Sequence, residues 1–67
     1  MEKQFAILDE RGRRVGSTWA IEAKLNDHQD SFWFIGRDGI VCATAWFGYT
    51  DITTGVTVTV SMPTKEN

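Results

Sequence analysis

Hydrophobic and polar residues alternate with a period of two along several short stretches of this chain. The clearest stretch is residues 56–62, which read Val-Thr-Val-Thr-Val-Ser-Met. This period is that of a β-strand with one dry and one solvated face. Residues 5–8, Phe-Ala-Ile-Leu, predict an earlier short strand, and residues 31–35 and 40–47 are rich in aromatic and β-branched residues. The pattern predicts short strands throughout.

Turn signals separate these stretches at short intervals, as in an antiparallel meander. Residues 9–12 (Asp-Glu-Arg-Gly) predict a type I turn with Gly12 in the left-handed conformation, and residues 36–39 (Gly-Arg-Asp-Gly) predict a hairpin. Gly16 is a candidate bulge position. We therefore expect an all-β protein, either a single small antiparallel sheet or a five-stranded barrel of SH3-like or OB-like size. It forms one domain over 1–67, with 63–67 expected to be a frayed tail.

The stretch 19–25 permits two structures. Trp19, Ile21, Ala23 and Leu25 alternate with smaller or polar residues, which favours a half-buried strand. The same stretch is also rich in good helix formers, and Ser17 or Thr18 could cap a helix. The alternative to an all-β fold is thus an α+β fold with one short helix at 18–26 packed on the sheet.

The central hairpin, residues 32–47, has two apolar faces whichever way its strands pair. If Ile35 pairs with Ile40, one face holds Phe32, Phe34, Val41, Ala43, Ala45 and Phe47, and the other holds Trp33, Ile35, Ile40, Cys42, Thr44 and Trp46. If Gly36 pairs with Ile40 instead, Trp33 and Ile35 exchange faces with Phe32 and Phe34. One sheet face is normally polar. A helix, a second copy of the chain or a docked partner should therefore cover the second face.

This excess of apolar surface predicts a protein-binding site formed by the large aromatic residues of the hairpin and the arginine of its turn. The predicted residues are Trp33, Phe34, Trp46, Phe47 and Arg37. Leaving two or three such rings in water would forfeit several kcal/mol, at roughly 25 cal/mol per Å². That loss is comparable with the whole stability of a small domain.

Composition and charge limit which partners and which cellular compartment we expect. The 67 residues carry a net charge of −2, divided as +1 over residues 1–24 and −3 over 25–67, which disfavours nonspecific attraction to nucleic acid. Cys42 is the single cysteine, so no intrachain disulfide can form and a reducing compartment is expected. The sequence has no apolar run long enough to cross a membrane and no signal-peptide pattern. These features predict a cytoplasmic location and no membrane association.

Catalytic and metal chemistry find little support. His28 and Cys42 are the only imidazole and thiol, and a Cys–His pair would need an orienting group such as Asp27 or Asp30. The residues Asn26, Asp27, His28 and Asp30 match neither the calcium-loop nor the zinc spacing and are better explained as turn residues. We predict no enzyme activity, no metal and no cofactor.

Arg11, Arg13 and Arg14 form the one basic cluster and could contact phosphates or an acidic partner.

The function that the pattern favours is a noncatalytic protein–protein interaction module, which could also form a homodimer. Its specific form would be a phage or mobile-element inhibitor of host machinery, an anti-defence protein of the anti-CRISPR type. The alternative is a small β-barrel that binds single-stranded nucleic acid through aromatic rings and this arginine cluster.

Overall fold

A computed structural model describes residues 1–60 of the chain. Seven strands form within this range: β1 (Lys3–Leu8), β2 (Arg14–Ala20), β3 (Glu22–Leu25), β4 (Phe32–Ile35), β5 (Val41–Ala45), β6 (Gly48–Asp51) and β7 (Thr57–Thr59). No helix occurs in residues 1–60, so the all-β prediction is confirmed and the alternative helix at 18–26 is wrong. The predicted strand positions 61 and 62 and the predicted tail at 63–67 lie outside the described residues.

The strands form two antiparallel sheets rather than one sheet or one closed barrel. Sheet A has the order β2-β1-β6-β7, and sheet B has the order β3-β4-β5. The count is seven strands rather than five. The predicted stretch 19–25 divides between Ala20 and Glu22, where the chain passes from one sheet to the other, and β6 forms in residues 48–55, which the sequence pattern indicated as a loop.

This division changes which residues face the core. Ile21 N donates to Ile35 O over 2.8 Å, which fixes the crossing from β2 to β3. On β2, Thr18 pairs with buried Phe5, so Trp19 lies on the opposite face and is 58% exposed. Ala20 is completely buried. The predicted alternation therefore holds for β3 but is inverted at Trp19, because the two stretches belong to different sheets.

Two hairpin turns follow the prediction closely. Gly12 (φ +79°) and Gly39 (φ +82°) adopt the left-handed conformation that closes a type I turn with a bulge. Gly12 N donates to Asp9 O over 2.9 Å, and Gly39 N donates to Gly36 O over 2.9 Å. The further bulge predicted at Gly16 lies one residue earlier. Gly16 pairs with Ile7 and Arg14 with Leu8, which leaves Val15 as the extra residue.

The central hairpin combines features of both predicted registers. At the turn, Gly36 N donates to Ile40 O over 2.9 Å and Ile35 pairs with Val41, as in the second register. A bulge at Cys42 then shifts the pairing, so that Phe34 lies opposite Ala43. The remainder of the hairpin has the face grouping of the first register. Its core face holds Phe32, Phe34, Ala43 and Ala45.

The core between the sheets is built from aromatic rings and alanines. Tyr49 from sheet A packs edge-on against Phe32 and Phe34 from sheet B, with ring centroids 4.9 and 5.4 Å apart. Phe5 lies 5.2 Å from Phe34 and 5.5 Å from Tyr49. These rings, each in contact with Tyr49, supply a large buried area in a chain this short.

Candidate interaction site

The aromatic residues predicted to bind a partner divide between the core and the surface. Phe34 is completely buried, so its ring packs the core and is not available to a partner. Trp33 is half-buried, Phe47 is 36% exposed and Trp46 is 61% exposed. The structure thus leaves three of the four predicted rings with some access to solvent.

The outer face of sheet B is the second apolar face of the hairpin. Cross-strand pairing places Trp33 between Lys24 and Thr44, and Ile35 between Glu22 and Val41. Side chains directly opposite one another share a face of the sheet. This outer face therefore has a central column of Trp33 and Ile35, with the charged residues of β3 along one side.

Exposure rises from that column toward the turn. Ile35 is only 9% exposed, whereas Val41 beside it is 41% exposed and Ile40 is 64% exposed. Arg37, also exposed, lies in the turn itself. Trp46 directly follows the other end of β5, where the chain crosses to β6 in sheet A. We call the set Trp33, Arg37, Ile40, Val41 and Trp46 the hairpin surface.

Trp19 is a surface residue that the sequence pattern did not identify. It lies on the outer face of sheet A, and its carbonyl oxygen accepts a hydrogen bond from Cys42 Sγ at 3.6 Å. The same sulfur lies 3.9 Å from Thr18 Oγ1. The bulge at Cys42 thus brings β5 against β2 and joins the two sheets on this side. Alternation alone could not place Trp19, because its neighbour Ala20 is also apolar.

The arginine cluster is organised by a carboxylate in its own turn. Asp9 Oδ1 accepts hydrogen bonds from the backbone N–H groups of Arg11 (2.9 Å) and Arg13 (2.8 Å). Arg13 Nε lies 3.5 Å from Asp9 Oδ2. The backbone N–H of Arg13 is the main cause that lowers the pKa of Asp9, and burial opposes it. Arg11, Arg13 and Arg14 are all exposed, but part of their charge is balanced by Asp9.

Cys42 and His28, the pair considered for catalysis, lie in different parts of the fold. Cys42 contacts Thr18 and Trp19, while His28 is exposed in the loop between β3 and β4. In that loop Asn26 Nδ2 donates to Asp30 Oδ1 (2.7 Å) and to Ser31 Oγ (2.9 Å). These hydrogen bonds close the loop, so Asn26 and Asp30 have a structural role. Residues 1–60 contain no cluster of three or more His, Cys, Asp or Glu side chains arranged to hold a metal.

A groove opens on the side of the molecule opposite the β2–β5 contact, between β3 and β7. Two adjoining cavities of about 350 and 300 Å³ form it, and Val58 lines both. Lys3 and Asp51 lie at one end, with their side chains 3.0 Å apart. The hydrogen bond from Lys3 is the main cause that lowers the pKa of Asp51. Burial raises the pKa of the Tyr49 hydroxyl in the same cavity, and the negative charge of Asp51 adds to the effect.

The structure thus shows two surfaces that a partner could use, the hairpin surface and the groove. Within residues 1–60 there is no helix that could cross a membrane. Comparison with known proteins finds no relative of this chain. No family model, no curated protein and no solved structure matches it.

Proposed function

We propose that this chain is a small noncatalytic protein-interaction module that binds its partner through the hairpin surface. The observation that carries the proposal is the 61% exposure of Trp46, together with the half-buried Trp33 on the outer face of the same hairpin. Tryptophan is among the residues most enriched at interface hot spots. Association would remove this apolar area from water.

The surroundings of the two indoles fit the composition of protein interfaces. Val41 and Ile40 add exposed aliphatic area, and Arg37 supplies a planar cation at the edge. Glu22 and Lys24 on β3 place charges of both signs beside the apolar column. Such a rim favours a protein partner with its own mixed charges over a uniformly anionic polymer.

The specific form of the proposal is an inhibitor that a phage or mobile element uses against host machinery, of the anti-CRISPR type, acting in the cytoplasm. A single 67-residue chain with net charge −2 is large enough to cover a site on a bigger protein. An exposed aromatic surface on a rigid sheet can occupy such a site without any chemistry of its own.

The test uses Trp46→Ser, with Val15→Ser as the matched control. Val15 is 65% exposed and lies on β2, so it belongs to sheet A and not to the hairpin of sheet B. We expect the native chain and Val15→Ser to recover the same stoichiometric partner from a host lysate, and Trp46→Ser to lose it. Sedimentation over a range of concentrations tests the homodimer in parallel. A strictly monomeric native chain that recovers no stoichiometric partner would count against the proposal.

A further inference from the structure

Strand β3 has one free edge. Within residues 1–60 it pairs only with β4, and three of its four residues, Glu22, Lys24 and Leu25, are exposed. An open edge presents backbone N–H and C=O groups that can pair with another strand. This edge lies across sheet B from Trp46, which follows β5 on the other side of the sheet.

The hydrogen bonds between β3 and β4 show which backbone groups point to the free edge. Asn26 N donates to Ser31 O over 2.9 Å, and these two residues continue the register that pairs Lys24 with β4. In an antiparallel pair, hydrogen-bonded positions recur at every second residue, so Lys24 is also bonded to β4. Ala23 and Leu25 consequently direct their N–H and C=O groups away from β4.

The charges of β3 make the strand complementary to a second copy of itself. Because both copies offer the groups of Ala23 and Leu25, the two-fold axis of an antiparallel pair must pass through a residue. An axis through Ala23 places Glu22 of each copy opposite Lys24 of the other. An axis through Glu22 or Lys24 would instead oppose two like charges, which destabilises a strand pair. Charge therefore selects one register.

The two faces of β3 both fit this register. Glu22 and Lys24 lie on the outer face of sheet B, where they pair with Ile35 and Trp33 of β4. On the other face, the small side chain of Ala23 lies opposite its own copy. Leu25, which is 42% exposed, lies opposite position 21 of the second copy, an isoleucine. Association of apolar residues removes area from water.

We propose that two copies of this chain associate through antiparallel β3 edges, with the two-fold axis at Ala23, so that two three-stranded sheets B form one six-stranded sheet. A lysine on an edge strand usually prevents such pairing. Here Glu22 removes that protection, because the axis brings it against Lys24 of the second copy. The contact does not use Trp46 or the β4–β5 turn, so the dimer and the proposed partner binding can fail separately.

Charge reversal at the edge tests the register. Sedimentation over a range of concentrations should show a monomer–dimer equilibrium for the native chain. Glu22→Lys and Lys24→Glu each convert two attractive pairs into two repulsive ones, and each should raise the dimer Kd about tenfold. Both positions are exposed, so circular dichroism should show a native fold. Glu10→Lys makes the same change at an exposed position of the β1–β2 turn and should leave the Kd unchanged.

Two combinations distinguish charge complementarity from a general loss of affinity. The double variant Glu22→Lys, Lys24→Glu should recover the native Kd, because it exchanges the two charges and keeps the pairing. A mixture of the two single variants should form a heterodimer more tightly than either variant associates with itself. In that heterodimer one copy presents two cations at the edge and the other presents two anions.

Amide hydrogen exchange tests the backbone pairing. The Ala23 N–H should exchange more slowly as the native chain is concentrated, whereas the Lys24 N–H, already bonded to β4, should show no such change. The proposal is overturned if the native chain stays monomeric, or if the mixed single variants form no preferred heterodimer. It is also overturned if Trp46→Ser abolishes the dimer and Glu22→Lys does not, since the second copy would then lie on the hairpin surface.

Discussion

Lys3 Nζ lies 3.0 Å from Asp51 Oδ2, and this ion pair joins the first residue of β1 to the last residue of β6. Asp51 has a second task. Its other oxygen accepts hydrogen bonds from Thr53 N (3.0 Å) and Thr54 N (3.4 Å), which shape the turn between β6 and β7. One carboxylate therefore holds the central strand pair of sheet A and orders the turn into the edge strand.

The first prediction concerns acid stability. The pKa of Asp51 is lowered from 3.8, chiefly by Lys3, and the pKa of Asp9 is also lowered, chiefly by the Arg13 N–H. In both cases the unfolded chain takes up the proton first as pH falls. The stabilisation is therefore present above the unfolded pKa, at about pH 4, and is lost as pH falls through the folded pKa. Thermal unfolding followed by circular dichroism should show Tm falling below about pH 4.

Asp51→Asn separates the two tasks of this side chain. The asparagine oxygen can still accept from Thr53 N, but the charge on Lys3 loses its partner. We expect a lower Tm at neutral pH than the native chain has, and a smaller loss of Tm on acidification. Asp38→Asn is the matched control, because Asp38 also accepts a turn N–H, from Ile40 at 3.1 Å, without an ion pair in residues 1–60. Equal acid profiles for native and Asp51→Asn proteins would contradict the assignment.

The second prediction concerns the packing of β6 on β7. A Cβ on Gly48 would lie 2.7 Å from Val58 O and 2.9 Å from Thr59 Cγ2. Because one of these atoms belongs to the backbone, Gly48→Ala must displace the edge strand. We expect a loss of about 1–3 kcal/mol in the free energy of unfolding, or a fall in Tm of several degrees. Gly16→Ala is the control, since a Cβ there has no atom within 4 Å; a Gly48→Ala protein as stable as Gly16→Ala would refute the contact.

Much of this fold follows from local chemistry. The turn at Gly12 and the hairpin at Gly39 were predictable because the turn needs a residue in the left-handed conformation at that position, and this conformation strongly favours glycine. The division at Ile21 was not predictable. When a strand passes from one sheet to another, apolar and polar residues can keep alternating although the set of side chains that faces the core changes. Nothing within residues 19–25 distinguishes the two cases; the partner strands β1 and β4 decide it.

The candidate site was predictable only in part for the same reason. The sequence showed that the hairpin has two apolar faces, and the structure places Phe34 in the core and leaves Trp46 exposed. Which face is inward depends on the bulge at Cys42, a register shift that no residue type marks. The groove was not predicted at all, because it is formed by β3 and β7, strands that are distant in the sequence and belong to different sheets.

The third prediction compares two aromatic residues of the hairpin. Phe34 is completely buried, so Phe34→Ala should cost about 3–5 kcal/mol, a large share of the stability of a small domain. Trp46→Ser removes a larger ring but should change the free energy of unfolding by only about 0.5 kcal/mol, because the indole is 61% exposed. Urea titration of both variants measures the difference. A comparable loss in Trp46→Ser would show that Trp46 belongs to the core and would remove the basis of the hairpin surface.

The fourth prediction concerns nucleic acid. Three arginines near the first turn and two exposed indoles could suggest a platform for single strands, but Asp9 balances part of that charge and the chain has a net charge of −2. Two of the arginines lie in the β1–β2 turn and the third begins β2, whereas Trp46 follows β5 in the other sheet. Trp46 is therefore on a different strand pair from the arginines, whereas Trp19 lies on β2 with Arg14, so the weak positive charge is what argues against binding.

We accordingly expect a short oligodeoxythymidine to leave the tryptophan fluorescence unchanged, even at low salt, where contacts with phosphates are strongest. A positive result would be quenching that weakens steeply as salt is added and that disappears in the double variant Arg11→Gln, Arg14→Gln. Both of these arginines are exposed, so the variant should keep its fold. Quenching that persists in the double variant would instead locate the oligonucleotide elsewhere. Salt-dependent quenching that the variant abolishes would favour nucleic-acid binding over a protein partner, because it would show that the arginines act together with an indole.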